Sequence, residues 1–311
     1  YPTLKAAFDA INAGTHTGAI TVAIGISTVE GTTPATLNSS GAGAASYTSV
    51  LIFPSADGIS VSGNPVTGFG VIQLKGADNV TIDGDNPNTG GTNRNLTVNN
   101  TTTTTVIANS CIRIATAATN VTSADNITIK NCILNGNVTS GNASGITSTT
   151  GSSNSSFGIY CGGNGGATAT DAPTAITSVT TNTAPSGTTI NNLTIDNNTI
   201  NQCARAIVFN GAVATVAPGT TTITNNLIGD QAGSPSGTPP YTTPATTVYT
   251  KGIWLNGLTT GTVTGNTIKN VLSYIGTTIT AIETVGAIGG AMNISNNTIT
   301  NIVNNASSAC N

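Results

Sequence analysis

Two short apolar motifs alternate along most of this chain, and their alternation constrains the fold more than any other feature. The first reads NITIKNCIL (126–134), NLTIDNNTI (192–200), TTTITNNLI (220–228), TGTVTGNTI (260–268) and AMNISNNTI (291–299), with weaker precursors in NVTIDGDN (79–86) and NLTVNNTT (95–102). The second reads CIRI (111–114), GIYC (158–161), AIVF (206–209), GIWL (252–255) and AIET (281–284), preceded by VIQL (71–74). Its isoleucine recurs at 72, 112, 159, 207, 253 and 282, in steps of 40, 47, 48, 46 and 29 residues. Helical solenoids tolerate little variation in repeat length, so such steps around a fixed apolar core exclude them and suit stacked β-coils with variable loops.

Stacking each motif on its next copy gives parallel strands about 4.8 Å apart, an all-β parallel β-helix. Alternation then turns Ile112 and Ile114, Ile207 and Phe209, Ile253 and Leu255 inward. Residues 162–189, 211–222 and 231–250, rich in Thr, Pro and Gly, are expected as inserted loops on one side of a single 1–311 domain. The strands begin with ITVAIG (20–25), SVLIFPS (49–55) and GISVSG (58–63). Ahead of them, Leu4, Ala7, Phe8 and Ile11 lie at helical spacing between Pro2 and Gly14. They predict a short helix within 1–15 that covers the open first coil. The chain begins at Tyr1 without a signal-like segment, so a processed or excised chain is expected, and its last coil carries no recognisable cap.

Asparagine clusters inside the first motif although it is a poor strand former. From Ile195 to Ile200 the odd step would flip faces in a continuous strand, so a bend is expected at Asn197 and Asn198. Asn is the non-glycine residue that best tolerates the left-handed region. The aligned column Asn198, Asn226, Asn266 and Asn297 is expected to hydrogen-bond along the axis, with Cys132 occupying the same column as a buried thiol.

These repeats resemble the pectin-lyase-like superfamily, across nearly the whole chain, which implies a right-handed, single-stranded parallel β-helix. The opening YPTLKAAFDAINAGTHTGAITV, with ASYTSVLIFPSADGISVSG and LKGADNVTIDG, resembles the N-terminal module of large secreted surface proteins of Bacteroidota type. That resemblance implies export to the cell surface or medium. It does not imply one activity, because the superfamily hosts enzymes and adhesins alike.

Only 6% of residues are charged, and the net charge is −3. Nucleic acid and anionic membrane both require clustered Lys and Arg and are not expected as partners. No apolar run approaches the roughly 20 residues of a membrane helix. The five cysteines, Cys111, Cys132, Cys161, Cys203 and Cys310, show no metal-site spacing and leave disulfides or buried thiols open. Sequence alone fixes neither their pairing nor any glycosylation.

Two constellations invite chemistry. Asp78, Asp83 and Asp85 in GADNVTIDGDN are Ca²⁺ ligands or a carboxylate pair on one view, and turn residues accepting local N–H bonds on the other. An enzyme would add Arg113 to Asp83 and Asp85. However, the only histidine, His16, precedes the strands, and no Arg-x-Lys occurs. The second constellation is the outward column Gln73, Arg113, Tyr160, Val208, Trp254 and Glu283, in which Arg113, Tyr160 and Trp254 form either a strip for sugar or protein or a set buried under loops. Arg205 is expected as a turn residue pairing with Asp196 or a carbonyl.

The leading expectation is a secreted, non-enzymatic structural or adhesive surface protein that associates end to end as a filament subunit, without a cofactor. The alternatives are a lyase or hydrolase of acidic polysaccharide, with Ca²⁺, and a glycan-binding module of a larger protein.

Overall fold

A computed structural model describes residues 1–102, 107–116, 122–137, 155–163, 188–211, 219–229, 251–273, 279–286 and 289–304. Within them a single helix, Leu4–Asn12, is followed by strands that pair in parallel and build three sheets of eight, eight and seven strands. Each sheet takes every third strand, so one coil contributes one strand to each. This is the architecture of a parallel β-helix. The coils, numbered from the N-terminus, span 17–38, 46–75, 80–116, 127–163, 193–210, 220–256, 260–285 and 292–304, the last with two described strands.

The first motif proves to be two strands and the second motif one. In coil 5, Leu193–Asp196 lies in sheet one and Thr199–Asn201 in sheet two, while Arg205–Asn210 lies in sheet three. The isoleucines 72, 112, 159, 207, 253 and 282 stand opposite one another in register through sheet three. All six expected inward residues are buried in one continuous core. Each such side chain contributes about 1.5–3 kcal/mol on burial, and β-branched residues suit the pleated surface they cover.

Several details depart from the sequence reading. NLTVNN is not a weak copy of NVTIDG. Val80–Asp83 belongs to sheet one and Leu96–Asn100 to sheet two of the same coil, joined by residues 84–95 in place of the Asn bend. Coil 1 has two further strands, Thr28–Gly31 and Ala35–Asn38, too short to announce themselves by alternation. The inserted segments are narrower than expected. Gly162 and Gly163 end a sheet-three strand and Thr220–Thr224 is a sheet-one strand, because threonine fits a pleated surface. What remains of 162–189, 211–222 and 231–250 lies mostly outside the described residues, as does Cys310. By chain order the insertions leave from the two corners that flank sheet three.

The helix forms where its apolar spacing placed it. Leu4, Ala7, Phe8 and Ile11 are buried, and the Thr3 hydroxyl caps the first turn by accepting from the Ala6 N–H at 3.0 Å. A partner not foreseen is Glu30, from coil 1. Its carboxylate accepts the N–H groups of Leu4 and Lys5 at 3.0 and 2.8 Å, placing negative charge at the positive end of the helix. At the other end Asn12 bonds both the Thr36 carbonyl and the Asn38 N–H, locking the helix over coil 1.

The corner between sheets one and two is where the asparagines act. Asn131, Asn197, Asn225 and Asn296 adopt φ between 52° and 58°, with Gly265 at 69° in the same column. This left-handed conformation is one that Asn and Gly tolerate. The next residue in each coil points inward. The Asn226 side-chain oxygen accepts from both the backbone and the side-chain N–H of Asn198 at 3.0 Å. Asn266 receives the same pair from Asn226, and Asn297 receives it from Asn266. Each amide also donates to a carbonyl of the preceding coil, Asn226 to Ile195 and Asn266 to Ile223 at 2.9 Å. Cys132 tops the column by donating its backbone N–H to Asn198.

Candidate functional site

Outside that corner, along the seam between sheets one and two, lies a polar groove of 460 Å³ lined by Asp83, Asp85, Lys130, Asp196, Asn197 and Asn225, among others. Its side chains come from the ends of successive sheet-one strands and from the left-handed asparagines, so the repeat itself assembles the row. Asp83 pairs with the Lys130 ammonium at 2.9 Å and accepts from the Asn131 amide at 2.7 Å and from the Asp85 N–H at 3.1 Å. Asp85 accepts the Asn93 N–H at 2.7 Å. Asp196 accepts the Thr224 hydroxyl at 2.6 Å and the Asn225 amide at 2.9 Å. Arg94, from the segment joining the two strands of coil 3, reaches across two coils to the Asn197 carbonyl and side-chain oxygen at 2.7 and 2.6 Å. Nothing in its local sequence marks it, since a contact over 103 residues follows only from the coil register.

Asp78, Asp83 and Asp85 do not converge. Asp78 precedes the strand Val80–Asp83 and accepts the Asp125 N–H at 2.6 Å. Burial, reinforced by the Asp125 charge, raises its pKa above the ordinary 3.8. Asp83 and Asp85 sit at the opposite end of that strand, bound to backbone and amide groups of their own and adjacent coils. Among the described residues no group of three or more His, Cys, Asp and Glu could hold a metal ion. Asp83 and Asp85 accept N–H groups of their own connection, as turn residues do, whereas Asp78 accepts one from the next coil.

Arg113 does not join Asp83 and Asp85. It lies in sheet three and is fully buried, donating to the Gly68 and Gly163 carbonyls at 3.2 and 3.1 Å. Burial lowers its pKa to about 10. The column Gln73, Arg113, Tyr160, Val208, Trp254 and Glu283 is in register as expected. However, all but Glu283 are buried, so Arg113, Tyr160 and Trp254 are not an open strip. Tyr160, Val208 and Trp254 pack with Phe157, Ala108 and Ala204 as a second apolar cluster on the outer face of sheet three. Burial also pushes the Tyr160 hydroxyl up to about 12, and that hydroxyl accepts from the Asn210 amide at 3.2 Å.

Arg205 is not a turn residue. It opens the sheet-three strand of coil 5 and its guanidinium lies over the Trp254 ring, 5.3 Å from the centroid. Burial, partly countered by Glu283, lowers its pKa to about 10. Cys111, Cys132, Cys161 and Cys203 are buried free thiols, and burial raises the pKa of each. They are poor nucleophiles in that state.

A second concavity, of 260 Å³, lies between the helix and the first strand of sheet one, lined by Leu4, Ala7, Ile11, Ile20, Val22 and Ile24 with their neighbours. His16 stands at its rim, 2.7 Å from the Tyr1 hydroxyl. Among the described residues no helix is long and apolar enough to cross a membrane. Comparisons with protein-family models, with curated proteins and with solved structures find no match.

Proposed function

We propose that the chain is a secreted, non-enzymatic structural element of a cell surface, a stiff rod that associates end to end through its first and last coils. The observation that carries this is the buried amide column. It ties coils 4 to 8 together independently of any ligand and commits the polar side chains of the best-formed corner to the scaffold. The resemblance of the repeats to the pectin-lyase-like superfamily, and of the opening module to secreted Bacteroidota surface proteins, supports export.

Unequal burial along single columns supports end-to-end contact. Ile195, Ile223 and Val263 are buried, yet their counterpart Ile294 is 46% exposed; Ile200, Ile228 and Ile268 are buried, and Ile299 is 47% exposed. In coil 1, Ile26 is 70% exposed and lines the groove along the helix. A second copy whose last coil docks on the helix region over coil 1 covers Ile294 and Ile299, a heterologous contact that does not close and so grows fibres. Light scattering and electron microscopy over a wide concentration range test it. Fibres are expected, and Ile294→Asp with Ile299→Asp should abolish them, whereas monomers of the parent chain at every concentration overturn the proposal.

A glycan-binding or glycan-cleaving role is the second reading, favoured by the open groove at Asp83, Asp85 and Lys130. Binding to and turnover of acidic polysaccharides, with and without a Ca²⁺ chelator, separates it from a purely structural role.

A further inference from the structure

We propose that the outer face of sheet one over coils 6 to 8 binds ice. In coils 6 and 7 its outward side chains are Thr220, Thr222 and Thr224 against Thr260, Thr262 and Thr264, paired one to one with no bulge. Coil 8 continues two of these columns with Asn293 and Ser295. The middle column also runs back through Thr194, Thr128 and Thr81. All eight side chains in coils 6 to 8 are at least partly exposed, and none is charged or aromatic.

The spacing of this array is set by the fold. Neighbouring strands lie about 4.8 Å apart and alternate residues along a strand about 6.6 Å apart. The first is close to the shorter oxygen repeat on the prism plane of hexagonal ice, and the second falls somewhat short of the longer one. The array is also stiff. Threonine is restricted at χ1, the Thr224 hydroxyl donates to Asp196, and Thr220 accepts the Asn192 N–H at 2.8 Å. The amide column Asn226, Asn266 and Asn297 ties the same coils at the adjoining corner. Side chains already ordered by folding lose little further entropy on meeting a rigid lattice. A shallow concavity of 370 Å³, bounded by Thr220, Thr222, Thr260, Thr262 and Asn293 among others, offers a trough in which lattice waters can seat.

Threonine favours any outward strand position, but the same coils show that solvent exposure alone does not produce this array. Outward positions of sheet two there are Leu227, Thr267, Lys269, Thr298 and Thr300, a row that a leucine and a lysine interrupt. Crystalline polysaccharide, the other lattice of hydroxyl groups, is recognised by stacking on aromatic rings, which the face lacks. An uncharged face also matches an uncharged lattice better than a mineral.

The test uses the full chain and measures the gap between freezing and melting points and the partition of protein into growing ice. The parent chain should show a gap and enter ice. The double variant Thr222→Tyr, Thr262→Tyr should lose most of both at an unchanged melting temperature, and Thr267→Tyr on sheet two should lose neither. Thr262→Ser keeps the hydroxyl, removes the methyl and cannot disturb packing, so it should give a partial loss even if the double variant misfolds. A parent chain excluded from ice without a gap, an activity indifferent to Thr222 and Thr262, or retention by crystalline chitin or cellulose and not by ice overturns the proposal.

Discussion

In coil 6 one rule of alternation produces two different surfaces. The strand Lys251–Asn256 in sheet three and the strand Thr220–Thr224 in sheet one both send alternate side chains away from the core. Trp254 on the first is buried in a second apolar cluster, whereas Thr222 on the second meets solvent. Facing away from the core is therefore not the same as facing water. The sequence difference that accompanies it is the length of the connections. Sheet three is flanked in several coils by long insertions, whereas in coils 4 to 8 sheets one and two meet at a bend of one or two residues that includes an asparagine. Residue type agrees with this, since aromatic and Arg side chains collect on one face and threonine on the other.

The sharpest way to break this comparison is Trp254→Ala. Truncating a buried Trp costs about 3–5 kcal/mol, and here it also removes the surface on which the Arg205 guanidinium lies. Denaturant unfolding should show a loss in that range. A cost below about 1 kcal/mol would mean that the outer cluster of sheet three is not a core at all.

Asn226→Ala should follow, at about 3 kcal/mol. It removes an amide that donates to Ile195 and Asn266 and leaves the Asn198 donors without their acceptor inside the helix. Asn225→Gly, one residue away, should cost far less, because its main requirement is a φ of 55° that glycine adopts freely. Comparing the two by thermal denaturation separates the inward amide from the left-handed corner.

How much was legible follows from what each signal depends on. The isoleucine columns and the asparagine corners are local patterns repeated at every coil, so they were readable before any coordinates. Repetition also carried the register of Gln73 through Glu283. The burial of that column was not readable, since it depends on what surrounds sheet three rather than on the strand itself. Arg94 and Glu30 were missed for a related reason. Each acts across coils, Glu30 on the helix N-terminus and Arg94 on Asn197, and neither sits in a repeated motif. The aspartates were ambiguous because the same Asp–Gly and Asp–Asn pairs serve turns and metal sites.

A smaller effect distinguishes a half-buried carboxylate at a coil corner from one open to solvent. The Asp78 pKa is raised by burial and by Asp125, so between the unfolded value near 3.8 and the higher folded value the native state binds more protons than the unfolded state. Stability should therefore fall as pH rises through that window. Asp78→Asn keeps a side-chain oxygen for the Asp125 N–H and removes the charge. It should flatten that part of the pH profile and leave the protein slightly more stable at neutral pH. A profile unchanged by the substitution would show that Asp78 is no more burdened than a surface carboxylate.

The smallest expected effect returns to coil 6. Thr222→Ala removes a hydroxyl and a methyl from an exposed face that contributes little to packing, so the loss should stay within about 0.5 kcal/mol. Set against the loss at Trp254 in the same coil, it isolates the environment of the two sheets, because the register and the backbone pairing are common to both. A cost at Thr222 approaching that at Trp254 would mean that the threonine face is packed rather than open. The difference between the two sheets would then lie in residue type alone, and the face could not present its hydroxyls to anything outside the molecule.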